Sequence, residues 1–349
     1  MLRMTSESPR IVGTVAVFSK DLGIDLGTMF TRLADSTQVL MEEPTIVAIE
    51  VFDQKMVAVG KEALDMYGRV PESIEVARPL KNGVIADYEI TETLLQYLLQ
   101  RVSGSMRIFR PRVMISVPFG VTSVERRAVY EAVLEAGSRE ASLIQQPLAA
   151  ALGVDLPINS PSGNMVICLG GGCTEAAVMA MYGIVSAETL RAGGMDLDEA
   201  IVNYVRRKYG IVIGQVTAEH LKMKIGAAVP QDTENSMEVQ GQDQVTGLPR
   251  PITLTTGEIV EALQDPLRAV IETGRRVLEK TPPELVADII DRGVALCGGG
   301  ALLRGIDKLL TKSLGIPAYL VDNPMTCVVE GAVKALPLYN ILRRNLPQV

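Results

Sequence analysis

Three glycine turns, Asp25-Leu-Gly-Thr28, Gly170-Gly-Gly172 and Gly298-Gly-Gly300, each follow directly on an apolar run. Glycine at such a turn lets the backbone approach an anion, and successive N–H groups form a concavity that fits phosphate oxygens. One such turn is an ordinary strand connection. Three of them in the same strand context point to a phosphate-bearing ligand. None fits G-x-x-x-x-G-K-[ST] or G-x-G-x-x-G, so a different phosphate-binding fold is required. Lys and Arg total 34 against 41 Asp and Glu, a net charge of −7, which argues against a nucleic-acid partner and makes neutral backbone donors useful for holding an anion.

Other chemistry-bearing residues are fewer. Pro147 suits the first turn of a helix over Leu148–Leu152 and sets Gln145 and Gln146 at its entrance, where side chains can face a ligand. Glu219 and Lys222 stand at i, i+3, the spacing of an exposed ion pair. His220, the single histidine, has no accompanying nucleophile pattern and reads as a surface residue. Cys168, Cys173, Cys297 and Cys327 lack metal-ligand spacing and read as buried free thiols.

The elements that must position these residues show a duplication. Gly23 to Thr28 reads as a buried strand entering a tight turn, and Val166 to Thr174 repeats the pattern about half a chain later. Thr45–Phe52, Met56–Val59 and Arg112–Pro118 read as further strands, the last one central. Thr122 with Glu125 and Thr255 with Glu258 are capping boxes; Asp196 is expected to cap Leu197–Tyr209, and Thr217 to start Ala218–Ile225. Asp265-Pro266 is expected to restart or kink its helix. The polar stretch Gln231–Gly247 reads as strands and turns. The chain of 349 residues, 47% apolar and 21% charged without Trp, fits a well-buried α/β protein of two lobes. No apolar run reaches the roughly 18 residues of a membrane span. The Ile11–Phe18 stretch lacks a signal-peptidase pattern, so the chain is expected in the cytoplasm.

These motifs resemble the actin-like ATPase superfamily and, within it, the MreB family. Gly23-Ile-Asp-Leu-Gly-Thr28 is similar to its first phosphate motif, Val166 to Glu175 to its second, and Leu296-Cys-Gly-Gly-Gly-Ala-Leu-Leu-Arg304 to its adenosine motif. Segments Arg78–Asp87, Val124–Arg127, Leu156–Met165 and Pro324–Cys327 share the likeness, which spans Asp21 to Leu336. The resemblance implies a duplicated, actin-like (ribonuclease H-like) fold with a nucleotide cleft. Its first lobe would cover 1–155, with a small subdomain near 51–87 and the C-terminal 327–349 packed back on it. Its second would cover 156–326, with a small subdomain near 196–255.

The resemblance further implies ATP or ADP with Mg²⁺. Thr28, Met29 and Phe30 would form the first phosphate loop and Gly171, Gly172 and Cys173 the second. Glu219, His220, Leu221 and Lys222 would take the ribose and base contacts, and Gly299, Gly300, Ala301 and Leu302 the adenine end. Asp25 would hold Mg²⁺ through water, and Gln146 would orient the attacking water. Departures gather where hydrolysis occurs. Cys168 stands for the family's second Asp, a poor exchange for a hard ion, and Gln146 stands for a Glu and cannot take a proton. Phe30, Cys173 and Cys297 replace an Asn and two Thr. A slow ATPase or a non-hydrolysing filament paralogue is therefore implied.

Membrane contact has two candidate sources. Ile108 and Phe109 lie between basic residues in Met106–Arg110, where the family carries a membrane-inserting loop, and burying them would contribute ~3–5 kcal/mol per protomer. Ile11–Phe18 is the other. The expected partners are further copies in a head-to-tail filament, the inner face of the cytoplasmic membrane, and cell-wall synthesis and shape proteins. An actin-fold small-molecule kinase would need a catalytic Asp base near the phosphate motifs, where none is found. A chaperone-type ATPase would need a peptide-binding domain beyond these lobes.

Overall fold

The computed structural model describes residues 21–53, 55–103 and 110–348. Two five-stranded sheets carry it, and they share one design. In the first, Asp21–Leu26 pairs antiparallel with Phe30–Ala34, which pairs antiparallel with Val39–Pro44. On its other side Asp21–Leu26 runs parallel to Arg112–Val117, which runs parallel to Glu140–Gln145. In the second, Asn164–Leu169 pairs antiparallel with Thr174–Ala180 and that strand with Gly183–Leu190. Asn164–Leu169 is parallel to Val294–Cys297, itself parallel to Ala318–Leu320. The duplication expected from the repeated strand and turn is thus a duplication of strand order and direction.

The central strands are apolar on both faces because helices cover both: every residue of Asn164–Leu169 is buried, as are five of the six in Asp21–Leu26. Separate cores follow. One gathers Leu22, Ile24, Leu94, Leu98 and Ile115 around the first sheet, and another gathers Ile167, Val178, Ile201, Leu263 and Leu296 around the second. Each sheet has a smaller companion. Val47–Glu50 lies between Lys55–Val59 and Ile74–Ala77. Ser236–Asp243 lies between Ile211–Val212 and Pro249–Thr255, where the polar Gln231–Gly247 stretch was expected to form strands and turns.

Between the two main sheets, the helices Gln146–Gly153 and Cys327–Ala335 cross backbone to backbone. A side chain at Gly331 would run into the Ala149 carbonyl, and one at Gly153 into the Cys327 carbonyl. Cys327–Ala335 also lies on Asp21–Leu26, where a β-carbon at Gly23 would stand 2.7 Å from the Val329 oxygen. Lys334 ties the crossing by donating to the Gly153 carbonyl at 2.9 Å, at the end of that helix, and by pairing with Asp155 at 2.7 Å.

Both capping boxes form, Thr122–Glu125 ahead of Ser123–Glu135 and Thr255–Glu258 ahead of Thr256–Glu279. Two helix starts, and the restart expected at Pro266, need correction. The Asp196 helix begins earlier, at Gly194, with Gly193 as its cap; Asp196 accepts from the Gly193 N–H at 2.7 Å as the third helical residue. The next helix starts at Gln215 rather than Thr217. Thr256–Glu279 continues through Pro266 without restarting, since leucines and valines along one side hold it in the core.

Candidate functional site

The first two glycine turns are built alike. The Gly27 N–H donates to the Phe30 carbonyl at 3.1 Å, and the Gly170 N–H to the Cys173 carbonyl at 2.9 Å. They face each other across one cleft and touch: a β-carbon at Gly171 would meet the Met29 side chain, and one at Gly172 the Thr28 hydroxyl. The amide N–H groups of Thr28, Met29, Gly171 and Gly172 have no hydrogen-bond partner among the described residues. Four unfilled backbone donors at the meeting of two turns form a cradle for an anion.

Each turn is braced from behind. Thr45 donates through its N–H to the Met29 carbonyl at 2.9 Å and through its hydroxyl to the Gly27 carbonyl at 2.7 Å, while Arg78 reaches the Met29 and Thr45 carbonyls. A hairpin tip at Asn82 and Gly83, both at positive φ, closes over the turns. There the Gly83 N–H donates to the Thr28 hydroxyl at 2.9 Å and Asn82 donates to the Arg191 carbonyl at 2.8 Å. The second turn is clamped by the start of Gly194–Tyr209, whose Gly194 and Met195 N–H groups donate to the Gly170 and Gly171 carbonyls at 2.9 Å.

The cleft encloses about 530 Å³, within the range of small-molecule sites. Its wall includes Asp25, Thr28, Met29, Phe30, Gln146, Gly171, Gly172 and Cys173, together with Glu219, Lys222, Gly299, Gly300 and Leu302. Three residues expected here lie elsewhere. His220 is exposed, Leu221 is fully buried in the second core and Ala301 is 3% exposed. The helical period explains the first two: Glu219, Lys222, Met223 and Gly226 line the cleft at i, i+3, i+4 and i+7, which leaves positions 220 and 221 on other sides.

Lys222 does not pair with Glu219. It binds Asp198 at 2.7 Å and the Gly194 carbonyl at 2.9 Å. Burial raises the Asp198 carboxyl to about 6 against the lowering effect of Lys222. Further wall residues that received no individual role from the sequence are Arg32, Met223, Arg304, Pro324 and Met325. Gln145 does not line the cleft; its amide oxygen is buried without a partner among the described residues.

The floor is short of carboxylates. Asp25 accepts from the Ser116 hydroxyl at 2.8 Å and lies 3.8 Å from Arg32; burial raises its carboxyl, against Arg32 and Ser116. Cys168 is a buried thiol 3.2 Å from the Cys297 sulfur, and all four cysteines are buried and free. Gln146 faces Cys173 at 3.9 Å. Among the described residues no group of three or more His, Cys, Asp or Glu can hold a metal ion. Asp25 fits a hard ion poorly, since one oxygen is hydrogen-bonded and the other faces a guanidinium, and Cys168, which also lines the cleft, is sulfur.

Glu175 was not singled out from the sequence. It accepts from the Phe119 N–H at 2.6 Å and the Thr189 hydroxyl at 3.2 Å, tying the loop after Arg112–Val117 to the second sheet. Burial raises its carboxyl to about 7, against these two donors. Ile108 and Phe109 lie outside the described residues, as does Ile11–Phe18. No helix among the described residues is long and apolar enough to cross a membrane.

A family model described as MreB/Mbl protein matches residues 19–344. The cell shape-determining protein MreB of Escherichia coli K12 is 46% identical over 331 residues, covering 93% of this chain and 95% of that protein. The cell shape-determining protein Mbl of Bacillus cereus is 44% identical over 316 residues, covering 90% and 95%. The crystal structure of MreB5 of Spiroplasma citri bound to ADP superimposes with a TM-score of 0.88 at 34% identity, covering 93% of this chain and 98% of that one.

Proposed function

The chain belongs to the MreB/Mbl family and has its actin-like fold, and on that premise we propose that it binds an adenine nucleotide in the cleft and assembles head to tail into filaments. The observation that carries the nucleotide reading is the pair of facing turns with four unpartnered amides above a cavity of about 530 Å³. A related protein bound to ADP supports it. In this reading Thr28 to Phe30 and Gly171 to Cys173 hold the phosphates, Glu219 and Lys222 the ribose side, and Gly299, Gly300 and Leu302 the adenine side.

Hydrolysis is slow or absent in this reading, because Gln146 can orient a water but not deprotonate it. Filaments would lie on the inner face of the cytoplasmic membrane and organise cell-wall synthesis and rod shape, a role drawn from the curated relatives' names and the family likeness. An open polymer needs a heterologous contact that does not close into a ring. Sedimentation at rising protein concentration, with and without ATP, tests the whole: concentration-dependent pelleting that responds to nucleotide is expected. A monomer at every concentration, or no binding of ATP, overturns it.

A further inference from the structure

Asp25, Arg32 and Glu42 stand abreast on three neighbouring strands, Asp25 opposite Arg32 and Arg32 opposite Glu42. Arg32 is only 7% exposed, yet it forms part of the cleft wall. Its Nε donates to Glu42 at 2.6 Å, and its guanidinium lies 5.3 Å from the centre of the Phe30 ring. One terminal nitrogen stands 3.8 Å from Asp25, too far for a hydrogen bond. Neither terminal nitrogen donates to a described residue.

An arginine so deeply buried has five N–H donors, and leaving most of them unmatched is costly. The acceptor that completes them has to enter from the cleft. Beside Arg32 the wall is Thr28 and Phe30 of the first turn, with the second turn opposite, so the entering group is a phosphate tail. In nucleotide sites a divalent cation ordinarily neutralises that tail. A planar guanidinium can do so with paired, charge-assisted bonds to phosphate oxygens.

We propose that Arg32 replaces the divalent cation, so that the site binds the tail of a nucleoside di- or triphosphate without Mg²⁺. The inference rests on the nucleotide reading above and deepens it. Asp25, facing Arg32 and bonded to Ser116, serves to hold the guanidinium in place. Cys168, which also lines the cleft, offers no ligand for a hard ion, and Arg32 supplies one positive charge with unfilled N–H donors where Mg²⁺ would supply two charges.

The test is calorimetric titration of the full-length protein with ATP, once in EDTA and once in magnesium. Dissociation constants that agree within about threefold are expected, since charge-assisted contacts to Arg32 are present in both buffers. In EDTA, Arg32→Leu is expected to weaken binding about tenfold or more, with circular dichroism checking its fold. Arg32→Lys keeps the charge and the pairing with Glu42 but loses the paired donors, and should weaken binding at least about threefold in EDTA. It decides the matter if the leucine variant unfolds. Wild-type binding that falls about tenfold or more in EDTA overturns the inference, as does lysine-variant binding equal to wild type. Failure to bind ATP in either buffer instead overturns the nucleotide reading itself.

Discussion

Gly172→Ala adds a single methyl group where the two turns meet, and its consequences can be worked from distances. The new β-carbon would stand 2.8 Å from the Thr28 β-carbon and 2.9 Å from its methyl, with the hydroxyl closer still. Carbon atoms need roughly 3.5 Å, so the turns must part by about 0.6 Å or more. The backbone at Gly172 is not left-handed, so alanine meets no conformational penalty and the effect is purely one of space. Overpacking of this kind costs ~1–3 kcal/mol. If Thr28 swings away, the Gly83 N–H that donates to it at 2.9 Å loses its acceptor, at a further ~1 kcal/mol or more. Urea unfolding should therefore show a loss of about 2–4 kcal/mol, and ATP affinity should fall about tenfold or more as the amides of the two turns move apart. Gly299→Ala is the matched control, because its β-carbon would meet nothing within 4 Å; its unfolding should match wild type. Wild-type stability and wild-type ATP affinity in Gly172→Ala would refute the close meeting of the turns.

Glu175, raised to about 7 from 4.5 by burial, binds an extra proton in the folded state across that window, so stability falls as pH rises through it, by up to ~3 kcal/mol. Glu175→Gln should flatten thermal stability between pH 5 and 7.5, and an unchanged slope would contradict the buried, protonated carboxyl. Cys168→Asp combined with Gln146→Glu should raise steady-state phosphate release in magnesium by supplying a hard-ion ligand and a base; no rise with ATP binding intact argues against the account of impaired hydrolysis. Ile108→Ser with Phe109→Ser should abolish co-sedimentation of filaments with liposomes while leaving lipid-free pelleting intact; loss of pelleting itself would place the pair in packing instead.

Local chemistry made parts of this fold legible. Thr122 with Glu125 and Thr255 with Glu258 satisfy helix N–H groups within four residues, so sequence alone located both helix starts. The glycine turns were legible because each interrupts an apolar run that has to be a strand. Asp196 misled because a capping partner three residues inside a helix looks, in sequence, like the cap itself. Lys222 misled because its partner Asp198 comes from another helix, 24 positions away. Arg32 was passed over for the same reason: its neighbours Asp25 and Glu42 are set by strand register, which local patterning does not reveal. The hairpin tip at Asn82 and Gly83, which closes over the turns, is likewise a tertiary contact between segments far apart in the chain.

Hydrogen exchange measured with and without ATP tests the central claim most directly, because the free amides of Thr28, Met29, Gly171 and Gly172 are the groups held to receive the phosphates. Slowed exchange on adding ATP is expected in Thr28–Phe30 and Gly171–Cys173 together, with Gly299–Leu302 following. Protection of one turn without the other, or of neither at saturating ATP, would contradict a nucleotide held between them.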